Sequence, residues 1–392
     1  MGCITPAGTA VESFAEALFT GRSGIADHLF TDLPEGRAPG LKFTRTAQIK
    51  GFVAEDHLTP TQITGTERSA QFALAAAAQA VTQSQWNYPA ERTAVILGCS
   101  TGGRTWEEPE TAKLYLSNAR VHPLTVVRSM ASSGASQVAI AHRVTGPVFN
   151  LSTACASGTH AIGMAFHMVR SGLVDAAITG GHEAPLTWGF LRAWDSMRVV
   201  SPTQCRPFAK DRDGMTLGEG SAMLCLEDRE AALARGAEIL GEIAGFGMSS
   251  DASHITQPDP AGAAAAMRAA LTDAGVTPDK VGYVNAHGTG TLANDAVEAE
   301  AMRRVFGERG VPVSATKAIT GHSIGATGAI EAVVTLLALR QQRMPFTSGL
   351  LDPSQTLGLD LVLNTSRPLE KEFALSNSLA FGGLNAVLVF RR

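Results

Sequence analysis

The chain has 392 residues, 45% of them hydrophobic and 17% charged, a content that excludes a disordered chain. With 32 Lys+Arg against 36 Asp+Glu, the formal net charge of -4 argues against general nucleic-acid binding. Five cysteines without a CxxC pair argue against a disulfide framework or a structural zinc site.

The N-terminus carries Glu12 and Glu16 and lacks a basic region, so it does not read as a signal peptide. No uninterrupted apolar run approaches about 18 residues, and no spanning helix is expected. The expected setting is the cytoplasm. Glu67–Val81 predicts a core helix, and the apolar run Thr93–Cys99 a buried strand. Pro147–Ser152 predicts a strand that leads into Cys155-Ala-Ser-Gly158 and then a helix to about Ser171. Ala176–Gly181 and Ser221–Glu227 read as further strands. The pattern then repeats. Strands are expected at Glu242–Gly247, Val281–Ala286, Val311–Thr316, Asp360–Asn364 and Ala386–Phe390. Helices are expected at Ala261–Ala274, near Asp295–Phe306 and at Ala329–Arg340. Asp295, Glu298 and Glu300 would place negative charge in early helical turns, where the helix dipole favours it. Alternating strands and helices in both halves predict an α/β fold with parallel or mixed sheets covered on both faces.

Three segments carry chemistry. Cys155 stands at an expected strand-to-helix turn among small residues, where a helix N-terminus would lower a thiol pKa. His287, in NAHGTGT, and His322, in KAITGHSIGATG, each follow an expected strand and sit in a glycine-rich loop. Strand ends of α/β sheets are where ligand sites gather. One such Cys or His is more often structural; a Cys with two His forms a nucleophile and a proton- or charge-handling set. Gly321-His-Ser323-Ile-Gly325 also matches the hydrolase elbow G-x-S-x-G. That chemistry needs a His after the Ser, and none follows His322, so the hydrolase reading is rejected. No GKS or GKT occurs, and nucleotide binding is unsupported.

These segments resemble the β-ketoacyl-acyl-carrier-protein synthases of the thiolase-like superfamily, most of all the type II elongating condensing enzymes. The resemblance runs through STACASG at Cys155, RPFAKDRDG at Arg206–Gly214, GEGSAMLCLE at Gly218–Glu227 and GFGMSSDASH at Gly245–His254. It continues through NAHGTGT at Asn285–Thr291, KAITGHSIGATGAIE at Lys317–Glu331 and SNSLAFGGLNA at Ser376–Ala386. It implies a thiolase-like, five-layered αβαβα fold of two similar halves packed together. Residues 1–240 would hold the nucleophile and residues 241–392 the two catalytic His. It implies a decarboxylative Claisen condensation of an acyl thioester with malonyl-acyl-carrier protein, in fatty-acid or related polyketide or polyene elongation. Cys155 would carry the acyl chain. The backbone N–H groups of Cys155 and Phe381 would form the oxyanion hole. His287 and His322 would hydrogen-bond the malonyl thioester carbonyl, and Lys317 would hold the charge network near His322. Phe381, with Leu379 and Ala380, would gate the acyl pocket. Asn285, Glu331, Ser376 and Asn377 match positions that can hold a monovalent cation; no other cofactor is required. The implied assembly is a homodimer that docks acyl carrier protein; Arg68 and Arg206 are candidate docking cations for that polyanion, although a single surface Arg is more often simply solvated.

The chain departs from housekeeping relatives at Gly290, where they read HGTST, and at Leu379, Ala380 and Leu384 beside the gate. It also opens at Met1 where the family places a strand, which suggests a truncated start and a missing central strand. Three rivals remain. A non-catalytic partner subunit usually lacks the nucleophile, which is present here; a degradative thiolase uses a second Cys in place of His322; and a specialised synthase for polyenes, polyketides or another secondary product stays open, mildly favoured by the altered Phe381 neighbourhood.

Overall fold

Short runs bounded by turns, most of them buried, set the strands. In the computed structural model, which describes residues 1–30, 33, 39–308, 310–349 and 356–392, ten of them form two five-stranded sheets. The first holds β1 (Gly2–Ile4), β2 (Thr93–Gly98), β3 (Val148–Leu151), β4 (Ala176–Glu183) and β5 (Gly220–Glu227), in spatial order β1-β5-β4-β2-β3. The second holds β6 (Glu242–Ser250), β7 (Val281–Asn285), β8 (Val313–Ser314), β9 (Phe373–Ala380) and β10 (Leu384–Arg391), in order β8-β7-β9-β10-β6. Both sheets therefore run third, second, fourth, fifth, first in chain order. The pairings agree as well: β2 is parallel to β3 and β4, as β7 is to β8 and β9, and the remaining neighbours are antiparallel. The halves are one topology used twice.

Six helices build the layers: α1 (Arg68–Ser84), α2 (Ser157–Arg170), α3 (Trp188–Met197), α4 (Pro260–Ala274), α5 (Leu292–Phe306) and α6 (Thr327–Gln341). α1 covers the outer face of the first sheet, and α4, with α5 beside it, that of the second. α2 and α6 touch strands of both sheets and fill the middle. The result is the expected five-layered αβαβα arrangement. α6 is buried from Thr327 to Leu339 and has no polar face, the pattern of a helix enclosed on all sides. Ile324–Gln341 is long and apolar enough to cross a membrane, yet 89% of it is buried inside the fold. Each fully buried Val, Leu or Ile side chain in this layer contributes roughly 1.5–3 kcal/mol. Gly158 lets α2 approach α6: a Cβ there would lie 2.9 Å from the Ala329 nitrogen.

Three expectations need correction, and one strand was missed. The strand expected at Val311–Thr316 shortens to Val313–Ser314. Asp360–Asn364 forms no ladder; Leu361 and Leu363 make only isolated bridges, to Val313 and Thr347. β9 was not foreseen, because Ser376, Asn377 and Ser378 break its apolar pattern, yet all three are buried. The expected gap in the first sheet is not seen either. β1 takes an edge position, not a central one, and pairs Gly2–Ile4 with Ser221–Met223 of β5.

Candidate active site

The chemistry gathers at the C-terminal ends of the parallel strands. Cys155 follows β3 and precedes α2; His322 follows β8 and precedes α6. Nucleophile and imidazole thus occupy matching places in the two halves. His287 follows β7, and Phe381 follows β9 in the turn to β10. A cavity of about 290 Å³ brings Cys155, His287, His322, Leu379, Ala380 and Phe381 to one wall system.

Local contacts fix the nucleophile. Ala154, just before it, has φ +48°, a strained value for a residue with a Cβ. The Ala154 carbonyl accepts from the Ser100 and Ser157 hydroxyls, each at 2.7 Å, while the Ser157 oxygen accepts from the Thr153 N–H at 2.9 Å. Cys155 is 6% exposed, and its Sγ lies 3.1 Å from His322 Nε2. His322 Nδ1 lies 2.8 Å from the Thr327 hydroxyl, which can either accept or donate there. That hydroxyl therefore supports both tautomers of His322.

His287 has one tautomer. The Lys317 ammonium, which can only donate, stands 3.2 Å from His287 Nδ1. Nδ1 is the acceptor, so Nε2 carries the proton. Lys317 also donates to the His287 carbonyl, and to Glu331 at 2.5 Å. The ion pair is fully enclosed, with both side chains 1% exposed. Glu298 holds the loop from the other side, accepting the His287 and Gly288 N–H groups at 2.8 Å each and the Asn377 amide at 3.2 Å. The two imidazoles meet edge to face at 5.4 Å.

Burial dominates the electrostatics. It pushes the Cys155 thiol up to about 12, with Lys317 pulling the other way. The helix N-terminus therefore does not leave a lowered thiol, contrary to expectation, because desolvation outweighs it. Burial, reinforced by the Lys317 charge, holds His287 and His322 well below the usual imidazole value, so both rings are neutral. Burial raises Glu298 and Glu331 against the pull of their donors. Ligand atoms of Cys155, His287 and His322 lie within 4.8 Å of one another, a spacing a soft metal could use. The Lys317 contact opposes that use: a metal-bound His donates its second nitrogen outward, whereas here His287 Nε2 is protonated.

Other assignments shift. Lys317 holds His287 directly and acts on His322 only through space. Arg68 is closed in a two-pronged pair with Glu219, at 2.6 and 3.0 Å, and cannot serve as a free docking cation. Arg206 pairs with Asp211 at 3.3 Å and Asp213 at 3.1 Å. Ser323 is fully buried and donates to the Glu219 carbonyl, away from the cavity. Glu298 was read as helix-dipole charge, but its carboxylate is spent on the His287 loop; its place a few residues past HGTGT was the available signal. Trp194 carried no signal, yet it lines the cavity and stacks on Phe381. Ala380, the last residue of β9, pairs with Leu384 and accommodates its Cβ without a left-handed backbone.

The proposed cation ligands can be tested on their own polar atoms. Glu331 Oε2, Ser376 Oγ, Asn377 Oδ1 and Asn285 Nδ2 are all buried with no hydrogen-bond partner among the described residues. Three unpaired oxygens, plus an amide whose flip would supply a fourth, fit a hard monovalent cation.

Comparison with known proteins follows this geometry. Residues 1–232 match the beta-ketoacyl synthase N-terminal domain, and residues 240–350 its C-terminal domain. The chain is 39% identical to "Nodulation protein E" of Rhizobium sp. (strain N33), covering 100% of this chain and 98% of that protein. It is 38% identical to "3-oxoacyl-[acyl-carrier-protein] synthase 2" of Vibrio cholerae serotype O1, over 100% of this chain and 97% of that one. "The ishigamide ketosynthase/chain length factor" superposes with a TM-score of 0.92 at 33% identity, covering 100% of this chain and 97% of that structure.

Proposed function

The chain belongs to the β-ketoacyl synthase family, and we propose how its own residues carry out the condensation of an acyl thioester with malonyl-acyl-carrier protein. The carrying observation is one cavity that joins the Cys155 thiol, 3.1 Å from His322, to an imidazole whose tautomer Lys317 fixes.

In the first step Cys155 Sγ attacks the acyl thioester carbonyl. Its proton passes to His322 Nε2 and then to the departing carrier thiol, leaving the acyl group on Cys155. His322 is again neutral with its hydrogen on Nδ1; proton exchange with solvent then moves that hydrogen to Nε2, and Thr327 turns to donate to Nδ1. In the second step the malonyl thioester carbonyl accepts hydrogen bonds from His287 Nε2 and His322 Nε2. The bond to the malonyl carboxylate breaks, CO2 leaves, and the electron pair becomes an enolate held by those two donors. The enolate carbon attacks the Cys155 thioester. The Cys155 and Phe381 N–H groups are the proposed donors to the tetrahedral oxygen. Collapse releases the β-ketoacyl product and the Cys155 thiolate, which takes the Nε2 proton of His322; a solvent proton taken up at Nδ1 replaces it and restores the starting tautomer. Every step runs on a thiol and two imidazoles, so the scheme calls for no organic cofactor. The fit of Asn285, Glu331, Ser376 and Asn377 supports a structural cation held at the Glu331 oxygen that Lys317 does not use.

The proposal extends to a homodimer in the cytoplasm that acts on acyl-carrier-protein thioesters in fatty-acid or polyketide elongation. Similarity to a 3-oxoacyl-[acyl-carrier-protein] synthase supports the carrier. The test is a condensation assay with malonyl-carrier and acyl-carriers of graded length, with mass analysis of Cys155. The wild type should give ketoacyl product and an acyl mass on Cys155, and Cys155→Ala neither. Absence of product at every chain length overturns the reading.

A further inference from the structure

Beside the reacting groups, one wall of the cavity is aromatic and comes from two distant elements. Trp194, on α3, and Phe381, in the turn after β9, both line the cavity that reaches Cys155. Their rings stack with centroids 5.8 Å apart and an interplanar angle of 17°. Phe190, one turn earlier on α3, meets Trp194 at 5.9 Å and extends the column.

The two ends of this column differ in firmness. α3 is anchored: Leu191 is fully buried, the Thr187 hydroxyl donates to Glu108 at 2.5 Å, and the Trp188 indole donates to the Pro39 carbonyl at 3.0 Å. Phe381 instead sits on a glycine turn. Gly382 and Gly383 have φ +82° and +69°, and the turn is tied by the Gly382 N–H to the Ile255 carbonyl at 2.8 Å and by the Asp251 N–H to the Gly383 carbonyl at 3.0 Å. Neither tie holds the Phe381 ring itself. Among the aromatic ring contacts of the described residues, the indole face is the one that meets the Phe381 ring.

We propose that Trp194 is a specificity-determining positioning residue: by stacking on Phe381 it fixes the room beside Cys155 and so limits the length of acyl chain that loads. This rests on the condensing reading above. A stack of this geometry favours the ring position that makes it by about two- to tenfold. Trp194→Phe keeps an aromatic face; Trp194→Ala removes it.

Two measurements on the full-length protein test this. The first is alkylation by iodoacetamide at one fixed pH, read at each cysteine by mass spectrometry. It needs no turnover. Trp194→Ala should raise the rate at Cys155 about two- to tenfold, with buried Cys99 and Cys205 unchanged and Trp194→Phe close to wild type. An unchanged Cys155 rate overturns the proposal, and so does a parallel rise at all three cysteines, which marks general loosening. The second is the ratio of dodecanoyl to butyryl loading on Cys155 from carrier thioesters. Trp194→Ala should raise this ratio by a similar factor; a wild-type ratio overturns the specificity role. A wild type that loads neither donor overturns the condensing reading, and chain-length selection with it, while alkylation still judges the stack.

Discussion

Glu298 supplies the sharpest test of how the site is built. Its two carboxylate oxygens each accept one backbone N–H, from His287 and Gly288, at 2.8 Å. Glu298→Gln keeps the shape but replaces one oxygen with an NH2 donor. One of the two buried N–H groups then faces a donor and has no acceptor. Such an orphaned group costs about 1–3 kcal/mol. Part of this is offset, because burial already disfavours the ionised carboxylate and raises its pKa. The loop can escape the clash by moving His287, and the penalty on any step that uses this ring is then about 5- to 150-fold. Acylation of Cys155 uses His322 and not His287. The expected outcome is a fall of that size in condensation, with acyl loading of Cys155 within about twofold of wild type. Single-turnover loading followed by mass spectrometry, beside steady-state product formation, separates the two. Condensation at the wild-type rate would show that the carboxylate does not position His287. Equal loss of both steps would show a general defect.

Other outcomes follow from the same geometry. Lys317→Met removes the ammonium that pairs with Glu331 in a site where both partners are 1% exposed, and should cost about 3–5 kcal/mol in chemical denaturation. Adding Glu331→Met should restore part of that loss; a double variant no more stable than the single one refutes the pairing argument. With the thiol pushed up to about 12, the thiolate is the minor form and grows with pH, so alkylation of Cys155 should rise about tenfold per pH unit up to about pH 9. A plateau near neutrality would mean that the helix N-terminus overcomes burial after all. Gly383→Ala should lower thermal stability by about 1–3 kcal/mol, since φ is +69° and the new Cβ would stand 2.5 Å from the Asp251 Cβ. An unchanged melting temperature would refute the close approach.

Much of this protein was legible in its sequence because the signals are local. A strand followed by small residues and a helix places Cys155, and glycine loops after strands place His287 and His322, whatever else surrounds them. The same alternation of strand and helix gave the layers. What the sequence could not show was which groups meet across the fold. Lys317 lies near His322 in the chain but bonds His287, because β8 runs beside β7 and sets their loops together. Arg68 resembled a docking cation until Glu219 closed on it. β9 hid behind Ser376, Asn377 and Ser378, polar residues whose burial only the assembled site explains. The thiol pKa was misjudged for a related reason. A helix end is a local feature of the chain, whereas desolvation is set by everything packed around the sulfur, and that is decided by tertiary structure alone.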